Sequence, residues 1–249
     1  MSTWVGIGRS EVGLVRTTNQ DAFATLDPLG LWAVADGMGG HVGGDVAAQT
    51  AIASITAQAQ VSADIIRQGQ TTPPTFLADA IMQAHYAILD RAKLESSLKG
   101  MGTTIVLLLI HSWENPTAHV AHLGDSRAYR FRSGTLPPLT RDHTLIEKYL
   151  DRGILTPKTA RTHPERHVLT QALGMASPVR PSLSSHPLEQ NDLLLLCSDG
   201  LTKMIEDEDI QNIFIAEKGD PIRTCDRLIN ESLEHGGADN VTVVVIAHT

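Results

Sequence analysis

The sequence predicts an α+β fold in which antiparallel sheets are covered by helices, and two observations favour it. Short apolar or β-branched runs, each ended by Gly, Asp or Ser, follow one another in hairpin-like series. Segments with apolar residues at helical spacing come in pairs between those series. A parallel sheet would instead need strands and helices that alternate one by one.

Apolar runs define the predicted strands, and Ala-rich or amphipathic segments define the helices. The strands are predicted at 31–35, 103–110, 118–123, 128–131, 193–197 and 241–247. One helix pair is predicted at 45–60 and 76–94, and a second at about 206–216 and 221–234. Pro73 and Pro74 separate the two helices of the first pair.

Residues 146–176 differ from the rest because they are polar and only weakly periodic. The stretch contains Gly153, Pro157 and Pro164, which interrupt regular structure. We expect short helical turns and an exposed, mobile flap here. We predict that residues 1–249, with this flap included, form a single domain.

The composition argues against several classes of protein, including those that bind nucleic acid and those that span a membrane. The chain has 20 Lys and Arg against 28 Asp and Glu, a net charge of -8, so it lacks the basic field that binds nucleic acid. Cys197 and Cys225 have no metal-site spacing, which favours a reducing compartment. The start of the chain resembles no leader peptide, and the longest apolar run, 105–110, is too short to span a bilayer. We expect a cytoplasmic monomer that does not contact membranes.

Five acidic stretches far apart in the chain have the character of strand ends that carry a carboxylate. Such groups point to the rim of a sheet, where several can converge, and a divalent cation relieves their mutual repulsion. Their aspartates are Asp21, Asp36, Asp125, Asp199 and Asp239.

Three of these stretches suggest the ion. Asp36 is followed by Gly37, which permits a tight turn whose carbonyl oxygen can face a cation. Asp199-Gly200 repeats the arrangement, and Asp239 is expected to open the last strand. Oxygen donors without a histidine cluster favour Mg²⁺ or Mn²⁺ over Zn²⁺. Taken singly, each aspartate is equally consistent with a turn or a helix cap.

The ordered motifs resemble those of the metal-dependent PP2C (PPM) family of Ser/Thr protein phosphatases, in its compact bacterial form. The motifs are Arg16-x-x-Asn19-Gln20-Asp21, Asp36-Gly37-Met38-Gly39-Gly40-His41, Gly124-Asp125-Ser126-Arg127, Asp199-Gly200-Leu201-Thr202 and Asp239-Asn240-Val241-Thr242. The resemblance implies a four-layer α-β-β-α sandwich: two antiparallel sheets flanked by helix pairs, with the flap near a metal site at one rim.

The resemblance also implies roles for the site residues. Asp36, the Gly37 carbonyl, Asp199 and Asp239 would hold two Mn²⁺ or Mg²⁺ ions. Asp21 would belong to the surrounding shell, and Asp125 would hold a third, looser ion together with Asp199. A hydroxide shared by the two ions would attack phosphorus directly, as expected of a two-metal site.

Two further roles concern the substrate. Arg16 would clamp the phosphate, because a planar guanidinium suits two phosphate oxygens. Met38 stands where many relatives have a histidine, so His41 is a candidate proton donor, or else a loop histidine that only forms hydrogen bonds. The expected partners are phosphorylated Ser/Thr proteins, including a cognate Ser/Thr kinase.

Three other functions are alternatives to a metal-dependent protein phosphatase. A cysteine-based phosphatase needs Cys-x5-Arg, but Lys203 and Glu231 occupy the sixth position after the two cysteines. A phosphatase fold that only binds partners should lack a metal carboxylate, and all of them are present. Hydrolysis of a small phosphorylated metabolite stays open, because the motifs address the phosphate and not its carrier.

Overall fold

The computed structural model describes residues 4–38, 43–68, 70–111, 115–160 and 162–249. The strands are β1 Trp4–Glu11, β2 Asp21–Leu26, β3 Leu31–Asp36, β4 Ile105–His111, β5 Thr117–Leu123, β6 Arg127–Phe131, β7 Ser182–Pro187, β8 Leu193–Cys197 and β9 Val241–His248. The α-helices are α1 Gly44–Arg67, α2 Pro73–Leu94, α3 Leu145–Asp151, α4 Pro157–Ala160, α5 Asp199–Thr202, α6 Asp207–Ala216 and α7 Pro221–Glu234.

The strands form two sheets. One has the order β1-β9-β8-β6 and the other β2-β3-β4-β5-β7. All the strand pairings in both sheets are antiparallel. The prediction of an α+β fold with two antiparallel sheets and helices is therefore confirmed.

The period of two along each strand divides the apolar residues between separate cores. In β3, Leu31, Ala33 and Ala35 pack into a core with α1 and α2. Trp32 and Val34, on the other face, join a core that also contains residues of β8 and β9. A third core joins β8 and β9 to α6 and α7. Burying each large apolar side chain contributes about 1.5–3 kcal/mol, which holds the sheet rims in register.

The sequence analysis missed β1, β2 and β7, and packing explains two of them. β7 reads Ser-Leu-Ser-Ser-His-Pro and is a largely polar edge strand, without an apolar run to mark it. β1 contains Gly6 and Gly8, which weaken a strand pattern. A Cβ on Gly6 would lie 2.2 Å from Trp32 Nε1, and one on Gly8 2.2 Å from Phe23 Cε2. These glycines therefore make room for aromatic rings.

Several boundaries also differ from the predictions. Asp21 begins β2 instead of ending a strand, and Asp239 precedes β9 by two residues instead of opening it. Helix α1 extends to Arg67, beyond the predicted end at 60. Helix α2 begins at Pro73, after Thr72, whose hydroxyl accepts a hydrogen bond from Thr75 N at 3.3 Å. The flap contains the short helices α3 and α4, as expected.

Two properties bear on the expected environment of the protein. Within the described ranges, no helix has both the length and the apolar content needed to cross a bilayer. Cys197 and Cys225 are free and buried, and burial raises the pKa of each thiol to about 12.

Candidate metal centre

The five predicted aspartates lie at one rim, where the two sheets meet. Asp36 ends β3 and faces Asp21 in the β2–β3 register. Asp125 lies in the turn between β5 and β6, Asp199 begins α5 directly after β8, and Asp239 precedes β9. Asp36, Asp125, Asp199 and Asp239 line one cavity, so the structure brings together residues from both sheets.

Asp21 is held by two hydroxyl groups from the opposite sheet. Its Oδ2 accepts hydrogen bonds from Ser198 Oγ at 2.8 Å and Thr242 Oγ1 at 2.7 Å. Burial, opposed by these hydrogen bonds and reinforced by Asp199 and Asp239, raises the pKa of Asp21 to about 7. Its Oδ1 is buried and has no hydrogen-bond partner. One oxygen of this carboxylate is therefore stabilised by hydroxyl groups, whereas the other lacks a partner.

The pKa values of Asp36 and Asp125 are also raised. Burial and then the carboxylate of Asp199 raise the pKa of both groups well above the usual range. Asp21 raises the pKa of Asp36 further, as expected for like charges on paired strands. The backbone N–H of Asp36 donates to Thr104 Oγ1 at 3.2 Å, which fixes the strand end.

Gly37 occupies a position that admits no side chain. An added Cβ would lie 2.3 Å from the backbone oxygen of Gly44 and 2.6 Å from that of Gln20. The N–H of Gly37 donates to Gln20 O at 3.1 Å. Neighbouring backbone, which cannot move aside cheaply, therefore excludes a side chain at Gly37, which pairs with Thr103 in an isolated β-bridge. The tight turn predicted after Asp36 stays a prediction.

Two basic side chains bind the remaining carboxylates. Arg16 Nε lies 2.9 Å from Asp239 Oδ1, and Arg16 Nη2 donates to Asp239 Oδ2 at 3.0 Å. Lys203 Nζ contacts Asp199 Oδ2 and lies 3.3 Å from Asp239 Oδ2. Burial alone would raise the pKa of Asp239, but Lys203, the Asn240 N–H and Arg16 outweigh it and lower that pKa.

These contacts bear on whether the residues fit a divalent cation. Within the described ranges, no three His, Cys, Asp or Glu side chains are arranged closely enough to hold a metal ion as they stand. Nevertheless, Asp21 Oδ1 and Asp199 Oδ1 are buried acceptors without hydrogen-bond partners. A cation stabilises such oxygens, and carboxylates are the donors that Mg²⁺ and Mn²⁺ prefer. These carboxylates therefore have the right chemistry for a divalent cation, and small rotations of their side chains would close a ligand shell.

Four residues with positioning contacts were not assigned roles from the sequence. Ser198 and Thr242 hold Asp21, and Lys203 joins Asp199 to Asp239. Asn240 Nδ2 donates to the carbonyls of Val12 and Thr18, both at 2.9 Å, and its Oδ1 accepts from Gln20 N at 2.9 Å. Asn240 thereby attaches the loop that carries Arg16 to the start of β9. Only Lys203 had a local signal, its position four residues after Asp199 at a helix start.

Arg16 and four of the five aspartates, all but Asp21, line a cavity of about 1020 Å³. Met38 lines it, and so do flap residues, including Leu150, Arg166 and His167. The predicted proton donor His41 lies outside the described residues. The cavity is large enough for a peptide side chain and its flanking residues.

His143 forms hydrogen bonds at both ring nitrogens near the flap. Its Nδ1 accepts from Gly124 N at 3.3 Å, and its Nε2 is 2.8 Å from Ser182 Oγ. Its ring stacks on His122 with centroids 4.5 Å apart. His143 thus links the turn that carries Asp125 to β7.

A comparison with known families adds independent information about the chain. The family model described as "Protein phosphatase 2C" matches residues 14–235. That range contains Arg16, Asp21, Asp36, Asp125 and Asp199. The chain belongs to the protein phosphatase 2C family.

Relatives within this PP2C family are similar over nearly the whole chain. The serine/threonine protein phosphatase PstP of Mycobacterium tuberculosis is 36% identical over 240 residues, which are 95% of this chain and 43% of PstP. The chain thus matches less than half the length of that relative. The serine/threonine phosphatase stp of Listeria monocytogenes is 32% identical over 241 residues, 96% of this chain and 93% of that one.

A solved structure supports the same fold. The catalytic domain of PstP, crystallised in complex with two manganese ions, has a TM-score of 0.82 and 32% sequence identity to this PP2C chain. The match covers 100% of both chains.

Proposed function

We propose that this PP2C chain is a Mn²⁺- or Mg²⁺-dependent phosphatase that removes phosphate from phosphoserine and phosphothreonine in proteins. The observation that carries the proposal is the rim of five aspartates, in which Asp21 Oδ1 and Asp199 Oδ1 are buried and lack hydrogen-bond partners. Two manganese ions in the related PstP domain support a two-metal site.

The proposed ligands divide into a core and a periphery. Asp36, the Gly37 carbonyl, Asp199 and Asp239 would hold two ions, with Asp21 in the surrounding shell. Asp125 and Asp199 would hold a third, weaker ion. When bound, the cations would supply Lewis-acid activation of water near neutral pH for direct attack on phosphorus.

The chain itself would bind and orient the phosphate. Arg16 is carried by the loop that Asn240 fixes, and its side chain is 39% exposed at the cavity. Its guanidinium now forms a two-point contact with Asp239, the geometry with which arginine also binds phosphate. We propose that Arg16 clamps two phosphate oxygens of the substrate.

The leaving alkoxide must acquire a proton. His41 is proposed as its donor, because Met38, which directly follows Asp36-Gly37 in the sequence, cannot donate a proton. This role rests on the sequence motif alone.

The flap and the wide cavity favour a protein substrate. Apolar side chains such as Leu150 and Met204 line the cavity together with Arg166. The residues that flank the phosphorylated side chain of a peptide would therefore have both apolar and charged groups to contact. We propose that the substrates include a cognate Ser/Thr kinase and the proteins that it phosphorylates. A single domain over 1–249, a monomeric state and a cytoplasmic location stay predictions.

The direct test is hydrolysis of a phosphothreonine peptide by the purified chain. We expect release of phosphate with Mn²⁺ and none with excess chelator. Asp199→Asn should reduce kcat/KM at least about 100-fold in Mn²⁺, because it removes a charged ligand from the rim.

Asp226→Asn is the matched control. Asp226 is an exposed aspartate whose salt bridge to Arg9 lies outside the cavity, so its change should leave activity within about twofold. Absence of release from phosphopeptides and from an aryl phosphate, by folded protein with bound Mn²⁺, would instead support the function of a partner-binding module.

A further inference from the structure

The most unusual contact at the rim is a lysine bound to two predicted metal ligands. Lys203 follows the one-turn helix α5, and its N–H donates to Asp199 O at 2.8 Å. This turn places the side chain beside the carboxylate four residues earlier. Lys203 Nζ contacts Asp199 Oδ2 and also lies 3.3 Å from Asp239 Oδ2.

The ammonium group acts on the whole acidic rim. Besides binding its two direct partners, it opposes through its charge the rise in the pKa of Asp36 and of Asp125. The side chain is 25% exposed, so the surrounding protein rather than water provides most of its environment. Lys203 therefore offsets part of the repulsion that assembling these carboxylates creates.

The oxygens that Lys203 binds are the oxygens that a cation would need. Asp199 and Asp239 come from different elements, α5 and the segment before β9, and the ammonium group joins them. A lysine side chain is a compact charge on a flexible stem, so it can withdraw from these oxygens without a change in backbone. An ammonium group and a divalent cation that contact the same carboxylate oxygens repel each other, so each weakens the binding of the other.

We propose that Lys203 is a tethered counterion that holds Asp199 and Asp239 together in the metal-free protein and competes with the divalent cation for their oxygens. This inference rests on the metal site of the proposed function. It makes Lys203 a positioning residue that sets metal affinity. Cation binding then requires the ammonium group to move into the cavity beside Arg16.

The test measures metal binding and metal-free stability rather than turnover. Metal-free wild-type protein and Lys203→Met are titrated with Mn²⁺ by calorimetry, and each is unfolded thermally in excess chelator. We expect Lys203→Met to bind Mn²⁺ about tenfold more tightly and to have a lower Tm in chelator, because the carboxylates lose a positive neighbour.

Two further variants separate charge from packing. Lys203→Arg keeps the charge and should stay near wild type in both measurements. Lys93→Met removes a lysine paired with Asp90 at 2.9 Å on the exposed surface of α2, and should leave Mn²⁺ affinity unchanged. If Lys203→Met does not fold, Lys203→Gln, which keeps a polar end group, replaces it with the same expectation.

The outcomes distinguish this inference from the function on which it rests. Equal or weaker Mn²⁺ binding by Lys203→Met, with normal binding by wild type, would overturn the competition alone. A Tm in chelator equal to that of wild type would overturn the role of Lys203 as a counterion. Absence of Mn²⁺ binding by both proteins would overturn the metal site and the competition with it.

Discussion

His143 is held in its neutral form by its neighbours. Its Nδ1 accepts a hydrogen bond from the Gly124 N–H, an acceptor that protonation would destroy. Burial, and then the stacked ring of His122, lower the pKa of His143 to about 4, with a smaller contribution from Lys148 and an opposing one from Asp142. At the scale of a residue, this ring accepts the hydrogen bond that connects the Asp125 turn to β7 only while it is uncharged.

A pH dependence of stability follows from this lowered pKa. The unfolded chain takes up the His143 proton near pH 6.5 and the folded chain near 4, so the unfolded state binds more protons in between. The contribution of His143 to stability is therefore present above about pH 6.5 and is lost as the pH falls toward 4. His143→Gln should reduce the difference between the urea midpoints measured at pH 7 and pH 4.5.

The control is His235→Gln, which changes a histidine at the C-terminal end of α7 that does not line the cavity. The control should retain the wild-type difference between the two pH values. A difference in His143→Gln as large as that of wild type would contradict the prediction.

Residue types predicted the site better than they predicted its contacts. Asp36, Asp199 and Asp239 were identifiable because each follows or precedes a buried strand at a Gly or Asn turn. The partners of Asp21 were not, because Ser198 and Thr242 reach it from the opposite sheet over 177 and 221 residues of sequence. Only the packing of the sheets brings them together.

At the scale of an element, the flap forms one wall of the cavity. Helices α3 and α4 are short, and α3 begins at a capped position where Thr144 Oγ1 accepts from Glu147 N at 3.3 Å. Arg166 is exposed and lines the same cavity as the aspartates. The flap can therefore contact what carries the phosphate without contacting the phosphate itself.

We predict that Arg166→Ala separates peptide from small-molecule turnover. Its kcat/KM for a phosphothreonine peptide should fall about threefold to tenfold, the effect of losing an exposed charge contact of about 1 kcal/mol. Hydrolysis of an aryl phosphate should change less than about twofold. Steady-state kinetics on both substrates provide the measurement.

Arg180→Ala is the matched control, because Arg180 is an exposed arginine that does not line the cavity. It should leave both substrates unaffected. Equal losses on peptide and aryl phosphate in Arg166→Ala would refute the assignment of the flap to substrate selection.

Some strands could be predicted from their own sequence and others could not. β8 reads Leu-Leu-Leu-Leu-Cys, is buried on both faces, and was predicted with its observed limits. β7 pairs with β5 by backbone hydrogen bonds but offers no apolar pattern, and β1 contains glycines that aromatic rings of other strands require. Strands of this kind are defined by their neighbours rather than by their own residues.

At the scale of the whole molecule, metal binding should be coupled to the stability of the fold. A ligand that binds only the folded state at 100 times its Kd stabilises it by about 2.7 kcal/mol. For a chain of this size that corresponds to a rise in Tm of roughly 5–11 °C. We expect the Tm of the wild type to rise with Mn²⁺ concentration and to return to its starting value with chelator.

Asp36→Asn should abolish most of this rise, because it removes one of the proposed ligands. Asp226→Asn, which alters a surface pair, should keep it. Scanning calorimetry over a Mn²⁺ series provides the measurement, and a wild-type Tm independent of Mn²⁺ would contradict the coupling.

The pairing of β1 with β9 has a consequence for synthesis of the protein. Trp4 lies opposite His248, and Arg16 contacts Asp239 across 223 residues of sequence. During translation, β1 and β8 are made before β9, the strand that lies between them, and the acidic rim lacks Asp239 until that part of the chain is synthesised. A nascent chain that has not yet reached β9 is thus unable to bring all five aspartates together.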